Sequence, residues 1–279
     1  MEKEFVQKLQ KTAVSMRMDL LEMFGCDGMR SGHWGGSSSI CEVMAALYFY
    51  KMKYDPKNPD WPERDYLIMS KGHSVPAQYA ALTELGCIDR KELKTFKHLG
   101  SILTGHPEMD KTPGIEANTG SLGMGLSIGL GISLGKRLDG DSNKVYVIIG
   151  DGELDEGQVW EAAMAISAFK LNNIRVVVDC NNVQASGPLE KVMPSGSIRS
   201  KWEAFGWHVI DVDGHDIESI CGGLDEADTI AQPVVILAHT VKGKGVSFAE
   251  NNASYHNYVF TPEAMDKAKA EIKEWLEKF

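Results

Sequence analysis

This 279-residue chain lacks most of the features that sort a new sequence quickly. It has no run of 18 apolar residues. Its most apolar helical stretch, Ser121 to Gly135, is glycine-rich and stops at Lys136-Arg137, which excludes a membrane-spanning helix. It has no basic excess: 29 Lys and Arg against 39 Asp and Glu leave a net charge of −10, the wrong sign for a nucleic-acid binder. Five scattered cysteines, none in a Cys-x-x-Cys pair, make neither a disulfide framework nor a zinc site and fit a reduced, cytoplasmic chain. The Met-Glu-Lys-Glu start carries no apolar h-region, so no secretory signal is expected. Gly135-Lys136 continues with Arg137 and not Ser or Thr, which excludes a P-loop. What remains, 43% hydrophobic and 24% charged, is the composition of a globular protein with a sizeable core.

The periodicity predicts an amphipathic helix over Glu4 to Phe24, a Gly/Ser-rich loop over Arg30 to Ser39, and a helix from Ile40 to Lys51. Tyr66 to Met69 reads as a short buried strand after a proline-rich connector. From Lys144 the alternation is regular. Strands are expected at Val145–Ile149, Ile174–Asp179, Trp207–Val212 and Pro233–Ala238, and helices at Gln158–Leu171, Ile198–Phe205 and Ile217–Thr229. β-Branched runs alternating with helices imply a doubly wound, mostly parallel α/β sheet covered on both faces. The last helix takes Thr261 as N-cap and Pro262 at N1, with Met265, Ala268, Ile272, Trp275 and Phe279 on one face. The whole of 1–279 is read as one domain.

In such a sheet, ligands sit at the carboxyl ends of strands. Gly150-Asp-Gly-Glu-Leu-Asp-Glu-Gly157 follows one strand, and Asp179-Cys-Asn-Asn-Val-Gln-Ala-Ser-Gly187 follows the next. The 28 residues between Gly152 and Asn181 suffice for a helix and a strand to return alongside. Asp151 and the Asn181 oxygen can then share one Mg²⁺, with diphosphate oxygens at its other positions. Two glycine runs, Gly123 to Gly129 and Gly129 to Gly135, read G-x-G-x-x-x-G and leave a nicotinamide-binding oxidoreductase as the alternative. They precede the strand at Val145, however, and their spacing suits close helix packing. His33, His73, His106 and His256 lie in glycine-rich or polar loops, where imidazoles serve a hydroxylated substrate better than a core. His208 and His239 sit on strand patterns and read as structural.

Ser31-Gly-His33, Ser70-Lys-Gly-His73, Gly105-His-Pro-Glu108, Thr119-Gly-Ser-Leu-Gly123, Gly150-Asp-Gly, Glu156-Gly and Asn181 occur in that order. Together they resemble the N-terminal, diphosphate-binding half of transketolase, from about residue 10 to His256. Gly-Asp-Gly with Asn is shared by thiamine-diphosphate enzymes in general. Gly-His-Pro-Glu and Thr-Gly-Ser-Leu-Gly are particular to transketolase.

The resemblance implies a thiamine-diphosphate-binding fold of the diphosphate type and an enzyme that transfers a two-carbon ketol unit from a ketose, or its phosphate, to an aldose. Asp151, the side chain of Asn181 and the carbonyl of Val183 would bind Mg²⁺. Gly152, His73, Asn181 and His256 would serve the diphosphate end of the cofactor or its metal, and Gly120 and Leu122 would support the aminopyrimidine through backbone groups. His33 and His106 would hold the sugar's hydroxyls and shuttle protons. Glu156 would join a carboxylate network linking the two sites of a dimer. Two residues depart from the family pattern, Trp34 after His33 and Asn257 after His256; both are expected on substrate-side loops. The family also needs a pyrimidine-binding domain, so the expected partner is a separately encoded C-terminal transketolase subunit in an α2β2 heterotetramer, with neither nucleic acid nor membrane.

Overall fold

The computed structural model describes residues 1–25 and 30–279. Helix α1 (Lys3–Phe24) buries Leu9, Val14, Leu20, Leu21 and Phe24, as its periodicity predicts. The segment read as a Gly/Ser loop instead contains a short buried helix, α2 (Trp34–Ser38), before α3 (Cys41–Ala46) and a single π-turn (Leu47–Lys51). Glycine and serine are poor helix formers alone; here the turn is entirely enclosed by the rest of the chain, and packing overrides propensity. Strand β1 (Tyr66–Met69) leads through a 3-10 turn (Gly72–Ser74) into α4 (Val75–Leu85). Then come α5 (Met124–Asp139), β2 (Val145–Gly150), α6 (Gly157–Ala168) and β3 (Ile174–Cys180).

A two-residue ribbon, β4 (Val183–Gln184) with β5 (Gly187–Pro188), and α7 (Leu189–Val192) follow β3. The chain closes with α8 (Ile198–Ala204), β6 (His208–Asp213), α9 (Ile217–Thr229), β7 (Val234–His239) and α10 (Pro262–Leu276). Thr261 caps α10 through its Oγ1, which accepts from Ala264 N at 3.2 Å. Met265, Ala268 and Ile272 are buried as expected, but Phe279 lies beyond the helix end and is exposed.

The sheet is fully parallel, in the order β1-β2-β3-β7-β6. Alternate residues enter two separate cores. Tyr146, Ile148, Val177 and Ile236 pack beneath α1, α3, α4, α9 and α10. Val145, Val147, Val176, Val178 and Val235 pack beneath α5, α6 and α8. Every residue of β2 and β3 is buried, which is why apolar residues face both sides of these strands with no exposed polar face. The charged exceptions in β3, Arg175 and Asp179, are themselves buried. The chain steps from β1 through β3, skips a place to β6, and returns to insert β7. That reversal moves the covering helix to the other face and opens the strand ends there.

The glycine runs of the nicotinamide alternative lie within α5, ahead of β2, and not on a strand-to-helix turn. Close packing explains part of them. A Cβ on Gly125 would stand 2.4 Å from Ser70 Cβ, and one on Gly129 2.7 Å from Val147 Cγ2. Both approaches are to the sheet. Gly131 and Gly135 face open space, so helix packing does not account for them.

Candidate active site

Register brings the strand ends together: Gly150 pairs with Asp179, and Asp179 with Ala238. Asp151 leaves β2 with both carboxylate oxygens engaged, Oδ1 accepting from Gly152 N at 2.8 Å and Oδ2 from Asn182 N at 2.5 Å. Burial, with the charge of Asp179 beside it, pushes Asp151 up to about 6. A carboxylate so placed calls for a cation.

Asp179 is fully buried. It accepts from Lys71 Nζ at 2.6 Å, Ser39 Oγ at 2.7 Å and Asn181 Nδ2 at 2.8 Å, and from Thr240 Oγ1. Burial alone would raise its pKa, but the Lys71 ammonium and these donors hold it below the usual range. Because Asp179 takes the Asn181 amide nitrogen, the amide oxygen turns the other way and accepts from Val183 N at 3.1 Å. Asp151, Asn181 and Val183 thus line one cavity of about 140 Å³, with His73, Leu122, Gly152 and His256.

The donor set fits the expected ion: a carboxylate, an amide oxygen and a carbonyl are hard oxygen ligands of the kind Mg²⁺ takes. Among the described residues no trio of His, Cys, Asp and Glu gathers into a softer metal site. The cavity also fits an anion. Gln184 lines it, and its Nε2 is buried without a hydrogen-bond partner among the described residues.

The cavity holds cations that the sequence motifs do not assign. Lys242 is buried, donating to Val183 O at 2.6 Å and lying 3.1 Å from His256 Nδ1. Burial lowers it to about 8, although Asp179 and Asp151 favour its charge. Lys71 also lines the cavity and donates to Gly36 O at 2.8 Å. Val241-Lys-Gly-Lys at the carboxyl end of β7 was the available signal for Lys242: a lysine in a glycine turn at a strand end.

Four histidines from four loops meet at the rim. Ring centroids are 5.0 Å apart for His33 and His73, 5.4 Å for His33 and His256, 4.9 Å for His73 and His256, and 6.4 Å for His33 and His106. Burial first, then neighbouring positive groups, lowers His33 to about 3 and His256 to about 4; His73 and His106 are lowered from the same causes. At neutral pH the rim is a set of neutral imidazoles, each with one donor and one acceptor.

Gly120 lies against His106, whose Cδ2 would be 3.4 Å from an added Cβ. Glu156 stands outside the cavity, exposed at the start of α6. Trp34 does not line the cavity: it is fully buried, its Nε1 donating to Gly243 O at 3.1 Å and its ring edge-on to Phe260. Asn257 is exposed beside His256.

The remaining histidines lie elsewhere. His215 accepts from Val241 N at 2.8 Å and meets Glu42 at 3.1 Å, bracing the Lys242 loop from behind. His239 pairs with Asp211 at 2.7 Å on the surface.

A family model described as "Transketolase, thiamine diphosphate binding domain" matches residues 10–275. The chain is 45% identical over 266 residues to the 6-deoxy-6-sulfo-D-fructose transketolase subunit SqwG of Clostridium sp. (strain MSTE9), covering 95% of this chain and 96% of that protein. It is 43% identical over 250 residues to an apulose-4-phosphate transketolase subunit of Phocaeicola vulgatus, covering 89% of each. Among solved structures, transketolase from Campylobacter jejuni superposes with a TM-score of 0.87 at 31% identity, over 96% of this chain and 43% of that one. The chain therefore spans less than half of that solved protein.

Proposed function

This chain belongs to the transketolase family, as its thiamine-diphosphate-binding domain, and we propose that it is the diphosphate-holding subunit of a two-chain transketolase transferring a two-carbon ketol unit between sugars. One observation carries the reading: Asp151, Asn181 and Val183 converge from adjacent strand ends on a cavity that also holds Lys71, Lys242, His73 and His256.

In this reading Asp151, the Asn181 amide oxygen and the Val183 carbonyl hold Mg²⁺, the Lys242 ammonium that now donates to Val183 O turning to the diphosphate instead. Gly152, His73 and His256 hold the diphosphate, with Lys242 adding positive charge. Gly120 and Leu122 support the aminopyrimidine. Bound thiamine diphosphate supplies the nucleophilic carbon that such a transfer requires. His33 and His106 hold the sugar's hydroxyls. Because burial keeps them neutral, each can accept a hydroxyl proton and return it, the role a general acid–base pair plays as a carbon–carbon bond breaks. Lys97, half-buried and donating to Ser31 O at 2.7 Å, adds positive charge beside His33 and His106. That suits a sugar carrying an anionic group, a feature that the names of both relatives share.

A separately encoded subunit supplies the pyrimidine-binding half, in an α2β2 assembly where Glu156, exposed at the start of α6, joins the carboxylates between the two sites. Among the described residues no helix is long and apolar enough to cross a membrane. A ketol-transfer assay with thiamine diphosphate and Mg²⁺ tests the split. Turnover should need the co-expressed C-terminal subunit, and substantial turnover by the purified chain alone overturns the reading.

A further inference from the structure

Glu153 has no part in the chemistry above, yet it is among the most constrained side chains at the cavity. It sits in the 3-10 turn after Asp151 and is 2% exposed. Its Oε1 accepts from Ser70 Oγ at 2.5 Å and from Gly123 N at 2.8 Å, and its Oε2 from Gly150 N at 3.1 Å. Those three donors belong to the end of β1, the entry to α5 and the end of β2. A negative charge at the start of α5 is also favourable to the helix dipole.

The segment entering α5 is pinned twice. At one end Thr119 Oγ1 donates to Met69 O at 2.6 Å; at the other, Gly123 N meets Glu153. Gly123 turns there at φ +84, and a Cβ on it would stand 2.9 Å from Glu156 Cβ, so the turn has one way to pass. Between the pins lie Gly120 and Leu122.

We propose that Glu153 is a positioning residue for aminopyrimidine recognition: it fixes the 120–122 segment against the strand ends and so governs the aminopyrimidine end of the cofactor, not its diphosphate end. This rests on the reading of Gly120 and Leu122 given above. A carboxylate is required because both of its oxygens accept. A glutamine would turn an amide N–H toward either Gly150 N or the Ser70–Gly123 pair, leaving donor facing donor.

Two ligands separate this role from a general structural one. Thiamine diphosphate engages both ends of the site, whereas inorganic pyrophosphate engages only the diphosphate floor. Calorimetry with Mg²⁺ present, on the chain co-purified with its partner, should show Glu153→Gln losing about tenfold in affinity for thiamine diphosphate, the cost of one displaced hydrogen-bonding group. Pyrophosphate affinity should stay within about twofold. Ser70→Ala and Thr119→Val, which each remove one hydroxyl, should show the same split at about threefold and decide the matter if Glu153→Gln does not fold. Equal losses for both ligands, or no loss for either, overturn the proposal. Wild-type complex that binds thiamine diphosphate no better than pyrophosphate sinks the underlying assignment of Gly120 and Leu122 instead.

Discussion

The floor of the cleft and its rim are built by different means. The floor is made where neighbouring strands end in fixed register, so Asp179 is held by backbone pairing, Asp151 N bonds Asp179 O, and Asn181 is held by its side chain on Asp179. Its groups are buried and charged: Lys71 pairs with Asp179, and Lys242 shares the cavity with both aspartates, while Asp151 is held by backbone N–H groups alone. The rim is assembled from four loops widely separated in the chain, and its histidines meet through ring contacts 4.9–6.4 Å apart. They are half-buried or exposed, and neutral. A floor of that kind suits the permanent binding of a charged cofactor, since its electrostatics are set by the sheet. A rim of neutral imidazoles suits a substrate that comes and goes, since each ring offers a hydroxyl one donor and one acceptor without a charge to desolvate.

The two regions should therefore fail differently. Asp151→Ala removes a carboxylate from the proposed Mg²⁺ site and should cause the largest loss. We expect Mg²⁺-dependent thiamine diphosphate binding, measured by calorimetry in the assembled complex, to fall by more than about a hundredfold, the upper end of what even outer-shell partners of a metal cost. Unchanged affinity would remove Asp151 from the metal site. His106→Ala should do the reverse. Cofactor affinity should hold within about threefold while kcat and kcat/KM fall about a hundredfold, the low end for a positioned proton-transfer group. Intact ketol-transfer kinetics, or a loss confined to cofactor binding, would erase the division between floor and rim.

How much of this was legible in the sequence follows the same division. The strands were readable because β2 and β3 are buried on both faces and are rich in β-branched residues, Val145, Val147, Ile148 and Ile149 in one and Ile174 and Val176 to Val178 in the other. Asp151 and Asn181 were readable because one βαβ unit fixes the distance between strand ends. The histidines could be nominated only by their loop context, since nothing local says that residues 33, 73, 106 and 256 meet. Lys71, Lys242 and Glu153 escaped for a physical reason: each matters through partners far along the chain, such as Glu153 with Ser70 and Gly123. Helix α2 escaped because its Trp-Gly-Gly-Ser-Ser sequence disfavours a helix locally, and only enclosure by the fold stabilises it.

Trp34 gives the smallest expected effect and the finest test of where the rim ends. It directly follows His33, and by sequence position alone it belongs to the sugar side. In the structure its ring points inward, edge-on to Phe260, and its Nε1 donates to the carbonyl of Gly243, next to Lys242. Trp34→Phe keeps an aromatic ring in that place but deletes the donor, leaving a buried carbonyl short of one partner. The cost should be about 1–2 kcal/mol, which for a chain of this size is a melting-temperature drop of about 2–6 °C. Because the ring does not line the cavity, kcat and KM for the donor ketose should stay within about twofold of wild type. A changed KM at unchanged melting temperature would show that Trp34 reaches the sugar, and the rim would then extend past His33 into α2.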